Sequence, residues 1–153
     1  MTMNLTIRRP TLNDAATIAD FNCRLCAETE DYRLDPEVCL RGTTRAIEED
    51  RGVTYFVAES DGRVIGQVAF FSEWSDWRDG EMWWLGSVYV HPDHRGRGVF
   101  RRLMEHVASL AESDPDVRLL RLYVETDNEA ARATYRRLGF EELPYRVYER
   151  PTP

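Results

Sequence analysis

The chain has 153 residues, of which 42% are hydrophobic and 31% charged, and its formal net charge is −7. This length is enough for one compact domain, so folding needs neither disulfides nor a metal. No apolar run reaches the roughly 18 residues of a membrane span, and the start lacks the basic-then-apolar layout of a signal peptide, so we expect a soluble, cytoplasmic protein. The acidic balance argues against a general nucleic-acid binder, because phosphate binding rests on clustered positive charge.

The basic, cysteine and histidine residues narrow the chemistry further. All 20 basic residues are arginine, so Schiff-base catalysis by lysine is excluded. Cys23-Arg24-Leu25-Cys26 has the spacing of a redox dithiol or of half a zinc site, but the pair falls late in a predicted helix and no second pair exists. We interpret the cysteines as small buried apolar residues. We interpret His91 and His94 as solvated loop residues, and we predict no metal site.

The first third of the chain predicts a strand and two helices. Residues Leu5 to Arg9 alternate in polarity before a proline, and Thr11-Leu12-Asn13-Asp14 has the form of a capping box that opens a helix. A polar loop runs from Thr29 to Asp35. Asp35-Pro36-Glu37 is then a helix cap with proline at the first helical position, which predicts a second helix from Pro36 to about Glu49.

The middle of the chain predicts antiparallel strands. Val53–Glu59 and Val64–Phe71 are β-type runs on either side of Asp61-Gly62, which is a strong hairpin signal. A polar turn with tryptophans, from Ser72 to Gly80, leads into Met82–Val90. The nearly unbroken apolar character of that run indicates burial on both faces, so we expect it at the centre of the sheet.

The last third predicts alternating helices and strands. An apolar stripe from Val99 to Leu110 predicts an amphipathic helix, and the run Val117–Glu125 predicts a strand. Thr126-Asp127-Asn128-Glu129 is a second capping box that opens a last helix. Phe140 onward, including Tyr145 to Glu149, is predicted to supply the closing strands.

The order of these elements indicates one α/β domain with a mixed sheet, in which Met82 to Glu125 is a parallel βαβ unit. Ligands of such units gather at the carboxyl ends of the strands, here Val90 and Glu125.

The run Arg95-Gly96-Arg97-Gly98-Val99-Phe100 follows the first of these ends. Its glycines let N–H groups converge on an anion at a helix N-terminus, which predicts a phosphate or pyrophosphate site; a solvated arginine–glycine turn is the alternative. Neither the P-loop nor the dinucleotide pattern is present.

This run resembles the acyl-CoA loop of the GNAT superfamily of acyl-CoA-dependent N-acyltransferases, which has Arg or Gln, then Gly three residues later, then Gly or Ala two residues after that. Arg95 and Gly98 fit the pattern, whereas Phe100 stands where Gly or Ala is usual. The resemblance covers essentially the whole chain. The family's second segment, N-x-x-A-x-x-x-Y-x-x-x-G-F, is present without a gap as Asn128, Ala131, Tyr135, Gly139 and Phe140.

The resemblance implies a single GNAT-like α/β (α+β) domain over residues 1–153, with a mixed, mostly antiparallel sheet, a central parallel βαβ unit and helices on both faces. It implies acetyl-CoA as the cosubstrate. The sheet is expected to splay beyond Val90, so that the pantetheine arm pairs with the backbone of Val88 to Val90 and an N–H near Val90 stabilises the oxyanion. The implied cofactor-binding residues are Val88, Tyr89, Val90, Arg95, Gly96, Arg97, Gly98, Val99, Phe100, Arg101, Asn128, Ala131 and Tyr135.

The resemblance also implies that Tyr135 is the general acid that protonates the CoA thiolate; a core tyrosine on the apolar face of its helix is the alternative. A base is needed as well, because an alkyl amine is mostly protonated at neutral pH. Gly86-Ser87 occupies the stretch where polyamine-acetylating relatives often place an acid. The candidate bases are Glu81, Glu125 and Glu28-Thr29-Glu30, and a water chain is the alternative.

An aromatic and acidic hairpin, with four tryptophans between Glu73 and Trp84, could enclose a cationic acceptor. Equally, Trp83 or Trp84 packs the core while Trp74 and Trp77 cover a dimer contact. The loop from Thr29 to Arg33 is another candidate, because GNAT acceptor sites usually lie between the first two helices and the central strands. The candidate acceptor-binding residues are Glu30, Tyr32, Trp74 and Trp84.

The function these features predict is transfer of an acetyl group from acetyl-CoA to a primary amine of a small molecule or peptide, by direct attack in a ternary complex. The alternative is a non-catalytic acyl-CoA-binding sensor or interaction module on the same fold. A nucleic-acid module built on the arginines between Arg95 and Arg102 is disfavoured by the total charge. We expect no nucleic-acid or membrane partner and, by resemblance, a homodimer.

Overall fold

A computed structural model describes residues 3–153. Contacts divide the chain into two compact units, one ending at Tyr123 and the other spanning Val124–Pro153. Two 3-10 turns, Leu12–Asp14 and Pro92–His94, accompany the regular elements. Within the described range these elements are β1 Leu5–Arg8, α1 Ala15–Thr29, α2 Pro36–Glu48, β2 Val53–Ser60, β3 Arg63–Ser75, β4 Gly80–Val90, α3 Val99–Ser113, β5 Val117–Leu122 and α4 Glu129–Arg137.

The strands of the first unit form one sheet in the order β1-β2-β3-β4-β5. Neighbouring strands are antiparallel except β4 and β5, which are parallel. This confirms the mixed, mostly antiparallel sheet with a parallel βαβ unit, here β4-α3-β5. The predicted hairpin is also confirmed: Asp61 and Gly62 have φ of 52° and 73°, the left-handed pair of a primed turn.

Helices cover both faces of the sheet, because side chains alternate along each strand. On one face, Ile18 of α1 packs with Tyr55, Val57 and Ala69 in a buried cluster, flanked by residues of α2. On the other face, the ring of Phe56 lies 4.5 Å from that of His106 of α3. Strand β4 also has buried residues on both faces, such as Met82 and Trp83, as its apolar sequence predicted. It is the fourth of the five strands, however, so β3 rather than β4 lies at the centre of the sheet.

The caps of the first helices follow the sequence signals. The carboxylate of Asp14 accepts the Thr11 backbone N–H at 2.8 Å and pairs with Arg8 of β1. The hydrogen bond with Arg8 is the main reason that the pKa of Asp14 is lowered. Asp35 caps α2 by accepting the N–H groups of Glu37 and Val38.

Several predicted boundaries were wrong. Strand β3 continues to Ser75, so the polar turn is shorter than expected, and β5 ends at Leu122 and is only half-buried. Helix α4 begins at Glu129 because Asn128, rather than Thr126, caps it. Within residues 140–153, all of which the structure describes, no strand forms, so the predicted closing strands are absent there. An alternating pattern alone does not supply the partner edge that a strand needs for its backbone hydrogen bonds.

Across residues 3–153, no helix is long and apolar enough to span a membrane. In the same range, no group of three or more histidine, cysteine, aspartate or glutamate side chains is arranged to hold a metal ion.

Candidate active site

The segment between β4 and α3 forms a cradle of backbone N–H groups, whose geometry suits an anion. Gly96 and Gly98 have φ of 74° and 81°, in the left-handed region that favours glycine. Gly98 is the N-cap of α3 and offers no side chain to cap it, and the first backbone bond of the helix joins the Arg102 N–H to the Gly98 carbonyl at 3.0 Å. The N–H groups of the first turn therefore lie at the positive end of the helix dipole, where an anion is stabilised.

A cavity of about 260 Å³ lies beside this helix start. It is lined by Val90 at the end of β4, by His94, and by residues of the segment 95–101. Phe100 is half-buried and belongs to this lining, so the cavity persists with the phenylalanine in place of the usual small residue. The cradle thus combines backbone donors, arginine charge and space.

Arg95 anchors the loop to strand β4 and helix α1. Its Nε donates to the Val90 carbonyl at 2.9 Å, its Nη2 pairs with the Glu28 carboxylate at 2.9 Å, and its guanidinium lies 5.3 Å from the centre of the Tyr89 ring. The Tyr89 hydroxyl also donates to Glu28. Burial, followed by the negative charge of Glu28, raises the pKa of Tyr89. The charge of Arg95 is thus engaged with α1, and Arg101, which also lines the cavity, pairs with Glu105 of α3.

Strand β4 has an open edge close to the cradle. The pairing of β4 with β5 ends at Leu85, opposite Leu122. The two strands therefore separate before Val90, whereas the family resemblance implied that they separate beyond it. The His91 N–H donates to the Ile65 carbonyl of β3 at 2.8 Å. Because backbone N–H groups alternate sides along a strand, the N–H of Val90 points away from β3, toward the open edge. A backbone donor is therefore available within one residue of the cradle.

The two loop histidines are less exposed than predicted. Both are half-buried: the ring of His91 lies 6.4 Å from Phe21, and the two histidine rings are 5.9 Å apart. The proximity of His91 to α1, and of His94 to His91, replaces the solvated turn expected from the sequence.

The remaining family-motif residues lie in the unit Val124–Pro153. Tyr135 of α4 is half-buried, its ring centre lies 5.8 Å from that of Phe140, and burial raises the pKa of its phenol. Asn128 accepts the Ala131 N–H at 3.1 Å, so both residues take part in the helix cap. The Glu125 carboxylate accepts the Asp127 N–H at 2.8 Å in the turn before that cap.

The structure does not bring Glu81 to the cradle. It lies near the start of β4, nine residues before Val90, which corresponds to about 30 Å along a strand. Its carboxylate accepts the Trp83 indole N–H at 3.3 Å. Glu30 is exposed just after α1, and the exposed Tyr32 offers its carbonyl to the Cys26 thiol.

The tryptophans do not form a shared cage. Trp83 is buried and stacks on Phe70 at 4.0 Å, whereas its neighbour Trp84 points to the opposite face of the sheet. Trp84 stacks on Tyr123 at 4.5 Å and already has the guanidinium of Arg121 at 5.7 Å from its ring centre. Trp74 is 60% exposed.

Sequence reasoning missed a buried polar network on the α1 face. Gln67 of β3 is fully buried and donates to Asn22 of α1 and to the Ser87 carbonyl of β4. The available signal was an amide in the middle of the apolar run Val64–Phe71, where a polar side chain must find partners.

This fold and the β4–α3 cradle define an acyltransferase-like α/β architecture. The model of the acetyltransferase (GNAT) family matches residues 18–140. The chain therefore belongs to the acetyltransferase (GNAT) family, which confirms the resemblance stated from the loop and α4 motifs.

Individual relatives agree with this assignment. The crystal structure of a possible acetyltransferase from Clostridium difficile 630 is 36% identical, with a TM-score of 0.90 over 97% of this chain and 98% of that one. A predicted acetyltransferase from Clostridium acetobutylicum, solved with acetyl-CoA, is 15% identical with a TM-score of 0.77, over 95% of this chain and 96% of that one, and shares the fold.

Among curated proteins, the L-amino acid N-acyltransferase MnaT of Escherichia coli is 35% identical over 58% of this chain and 51% of its own length. The matches to the first three curated relatives span only 39% to 51% of those proteins.

Proposed function

We propose that this protein is an N-acetyltransferase that transfers an acetyl group from acetyl-CoA to a primary amine, and that residues 1–153 act as one such domain. The observation that carries the proposal is the uncapped start of α3 behind two left-handed glycines, directly beside the open edge of β4, in a member of the GNAT family. A pyrophosphate fits the first feature and an extended amide-containing arm fits the second.

In this proposal, different residues of the cradle bind different parts of acetyl-CoA. The N–H groups from Gly96 to Arg101 and the side chain of Arg97 suit the pyrophosphate. The backbone from Val88 to Val90 offers an unpaired strand edge to the pantetheine amides. Arg95 and Glu28 hold the loop in place for both contacts. The relative from C. acetobutylicum that was solved with acetyl-CoA supports this cosubstrate.

The reaction proceeds by direct attack. The amine nitrogen bonds to the thioester carbonyl carbon, and the Val90 N–H stabilises the negative charge that develops on the oxygen. The carbon–sulfur bond then breaks, Tyr135 gives its proton to the leaving thiolate, and the amine nitrogen loses a proton to yield an amide and CoA. The Tyr135 phenol, whose pKa burial raises above its ordinary value of about 10, is protonated at neutral pH, as a proton donor requires.

The proton of the amine is accepted either by one of the remaining candidate carboxylates or by water. Glu28 is paired with Arg95 and Glu81 lies far along β4, so neither is placed as a base beside the cradle. Glu125, Glu30 and a water chain remain as candidates.

The acceptor is a small molecule or peptide bearing a primary amine, and an amino acid is the first class to test. MnaT is named as acting on L-amino acids, which supports that choice. Glu30, Tyr32, Trp74 and Trp84 remain our candidate acceptor contacts, because all four retain solvent-accessible surface. A cytoplasmic location is also proposed, and the three free cysteines favour a reducing compartment.

The test is steady-state CoA release, measured with a thiol reagent, from acetyl-CoA and a panel of amino acids, polyamines and peptide N-termini. We expect sustained turnover with at least one amine class and formation of the matching amide by mass spectrometry. Tight acetyl-CoA binding with no turnover across the panel would instead favour an acyl-CoA sensor.

We also propose a homodimer. Within Val124–Pro153, Tyr145, Val147 and Tyr148 are 75%, 70% and 89% exposed, although their alternation is typical of a strand. Exposed apolar side chains of this kind favour coverage by a second copy.

A further inference from the structure

Strand β4 carries a bulge next to the cradle. Gln67 pairs with Tyr89 and Ala69 pairs with Gly86, so Ser87 and Val88 together face a single residue of β3. Ser87 has φ of 50°, in the left-handed region that is unfavourable for a residue with a Cβ. Something must hold the serine in that conformation.

The bulge decides where the Val90 N–H points. Continuing the pairing of Ala69 with Gly86 without a bulge would place Val90 opposite Ile65. The Val90 N–H would then donate to the Ile65 carbonyl, because a shift of one residue reverses every later group of the strand. With the bulge, His91 makes that bond instead, at 2.8 Å. The orientation of the oxyanion donor therefore depends on the extra residue at Ser87.

Gln67 is the side chain that holds the bulge. Its Nε2 donates to the Ser87 carbonyl at 3.1 Å and to the Asn22 Oδ1 at 2.8 Å. Asn22 in turn donates from Nδ2 to the Tyr55 hydroxyl at 3.0 Å. The network thus ties the bulge of β4 to β3, α1 and β2.

An amide side chain such as that of Gln67 is unusual at a fully buried position. Its Oε1 is buried without a hydrogen-bond partner in the part of the chain that the structure describes. A buried acceptor without a partner destabilises a fold. The two bonds made by Nε2 account for the residue, since an apolar side chain of similar size would leave both the Ser87 carbonyl and Asn22 without a donor.

We propose that Gln67 is a positioning residue for acetyl transfer: by clamping the Ser87 carbonyl it maintains the β4 bulge and directs the Val90 N–H into the open edge. This proposal rests on the function proposed above. It assigns Gln67 no contact with the substrates, so it predicts an effect on the rate of the chemical step rather than on acetyl-CoA binding.

The experiment compares wild type with Gln67→Leu, which conserves size and removes both N–H donors. We expect kcat to fall by at least about tenfold, because a misdirected oxyanion donor loses most of its effect. The KM for acetyl-CoA should change less than about twofold, since the cradle is intact. Adding Ser87→Gly should restore part of kcat, because glycine adopts the left-handed conformation without a clamp.

A second readout does not depend on activity. By NMR amide hydrogen exchange, the Val90 N–H should exchange faster than the His91 N–H in wild type. In Gln67→Leu we expect Val90 to become protected, as the bulge collapses and Ile65 becomes its acceptor. If Gln67→Leu is too unstable to assay, Tyr55→Phe removes only the far end of the network and should lower kcat in the same direction by a smaller factor.

Thr43→Val is the matched control, because Thr43 is a buried polar residue of α2 that makes no bond to the bulge. It should leave kcat and Val90 exchange unchanged. An active wild type with undiminished kcat in Gln67→Leu would overturn the positioning role alone, and so would unchanged Val90 exchange in that variant. A wild type that binds no acetyl-CoA and turns over no amine would overturn the proposed function, and the exchange data would still report whether Gln67 holds the bulge.

Discussion

Burial raises the pKa of Tyr135 above the ordinary phenol value of about 10. A general acid works only while protonated, and a raised pKa keeps the phenol protonated as the pH rises. The kcat of the wild type should therefore show no alkaline loss due to Tyr135 below about pH 10.

Replacement of Tyr135 by phenylalanine removes the hydroxyl that we propose as the proton donor and keeps the ring. We expect kcat to fall by about a hundredfold or more, with the Kd for acetyl-CoA nearly unchanged. Stopped-flow or steady-state thiol release measures the first quantity and calorimetry the second. Tyr145→Phe, at an exposed tyrosine, is the control and should behave as wild type. An unchanged kcat at saturating substrates would remove Tyr135 from the mechanism.

At the residue level, the sequence located the two left-handed glycines before α3 but not the contacts that stabilise their loop. Glycines before a helix have a local signature, so Gly96 and Gly98 could be found from spacing alone. The partner of Arg95 could not, because Glu28 lies 67 residues earlier and only the packing of α1 against β4 brings them together. The same holds for Gln67 and Asn22, which are 45 residues apart.

At the scale of elements, the close approach of α3 to the sheet fixes the start of the helix. A Cβ on Gly66 of β3 would lie 3.1 Å from Val99 Cγ1, 3.1 Å from the Tyr89 carbonyl oxygen and 3.3 Å from Leu103 Cδ1. A methyl group there must displace these neighbours by a few tenths of an ångström, among them Val99 in the first turn of α3, which carries N–H groups of the cradle.

Gly66→Ala should therefore destabilise the fold by about 1–3 kcal/mol, the usual range for overpacking, and weaken acetyl-CoA binding several-fold. Thermal unfolding and calorimetry measure the two effects. Gly42→Ala in α2 is the control: its Cβ would meet nothing within 4 Å, so it should be neutral or slightly stabilising. Equal acetyl-CoA affinity in Gly66→Ala and wild type would show that α3 is not held in place by this contact.

Elements with strong local signals were predicted well, and those that depend on a distant partner were not. The signals for the Asp61-Gly62 hairpin and for the Asp35 cap each lie within a few adjacent residues, and both features form as expected. Gly86, directly before the bulge at Ser87, is a local sign of an irregular strand, but the residue that holds the bulge, Gln67, lies on another strand. The residues after Phe140 have the alternating polarity of strands, but residues 140–153 form no strand.

At the scale of the whole molecule, the exposed apolar side chains near the C-terminus predict self-association. Sedimentation equilibrium should give a dimer for wild type, and Tyr145→Ser combined with Val147→Ser should give a monomer, because the change removes exposed apolar surface. Thermal unfolding of the double variant at low protein concentration controls for misfolding. A monomeric wild type at all accessible concentrations would contradict the proposed dimer.

The net charge of −7 limits what the arginines near the cradle can bind. Arg95 pairs with Glu28, Arg101 pairs with Glu105, and Arg102 donates to the Leu5 carbonyl. The positive charge is therefore local to the cradle, which suits one pyrophosphate group better than a polyanion.

Calorimetric titration with acetyl-CoA, with CoA and dephospho-CoA in the same series, tests the central claim most directly, because it examines the cradle before any acceptor is known. The account predicts a single site with a Kd in about the micromolar range and a matching rise in Tm. It also predicts weaker binding in Gly98→Ala, where φ is 81° and an alanine is strained. No heat and no thermal stabilisation at millimolar acetyl-CoA would contradict the assignment of the β4–α3 cradle as an acyl-CoA site.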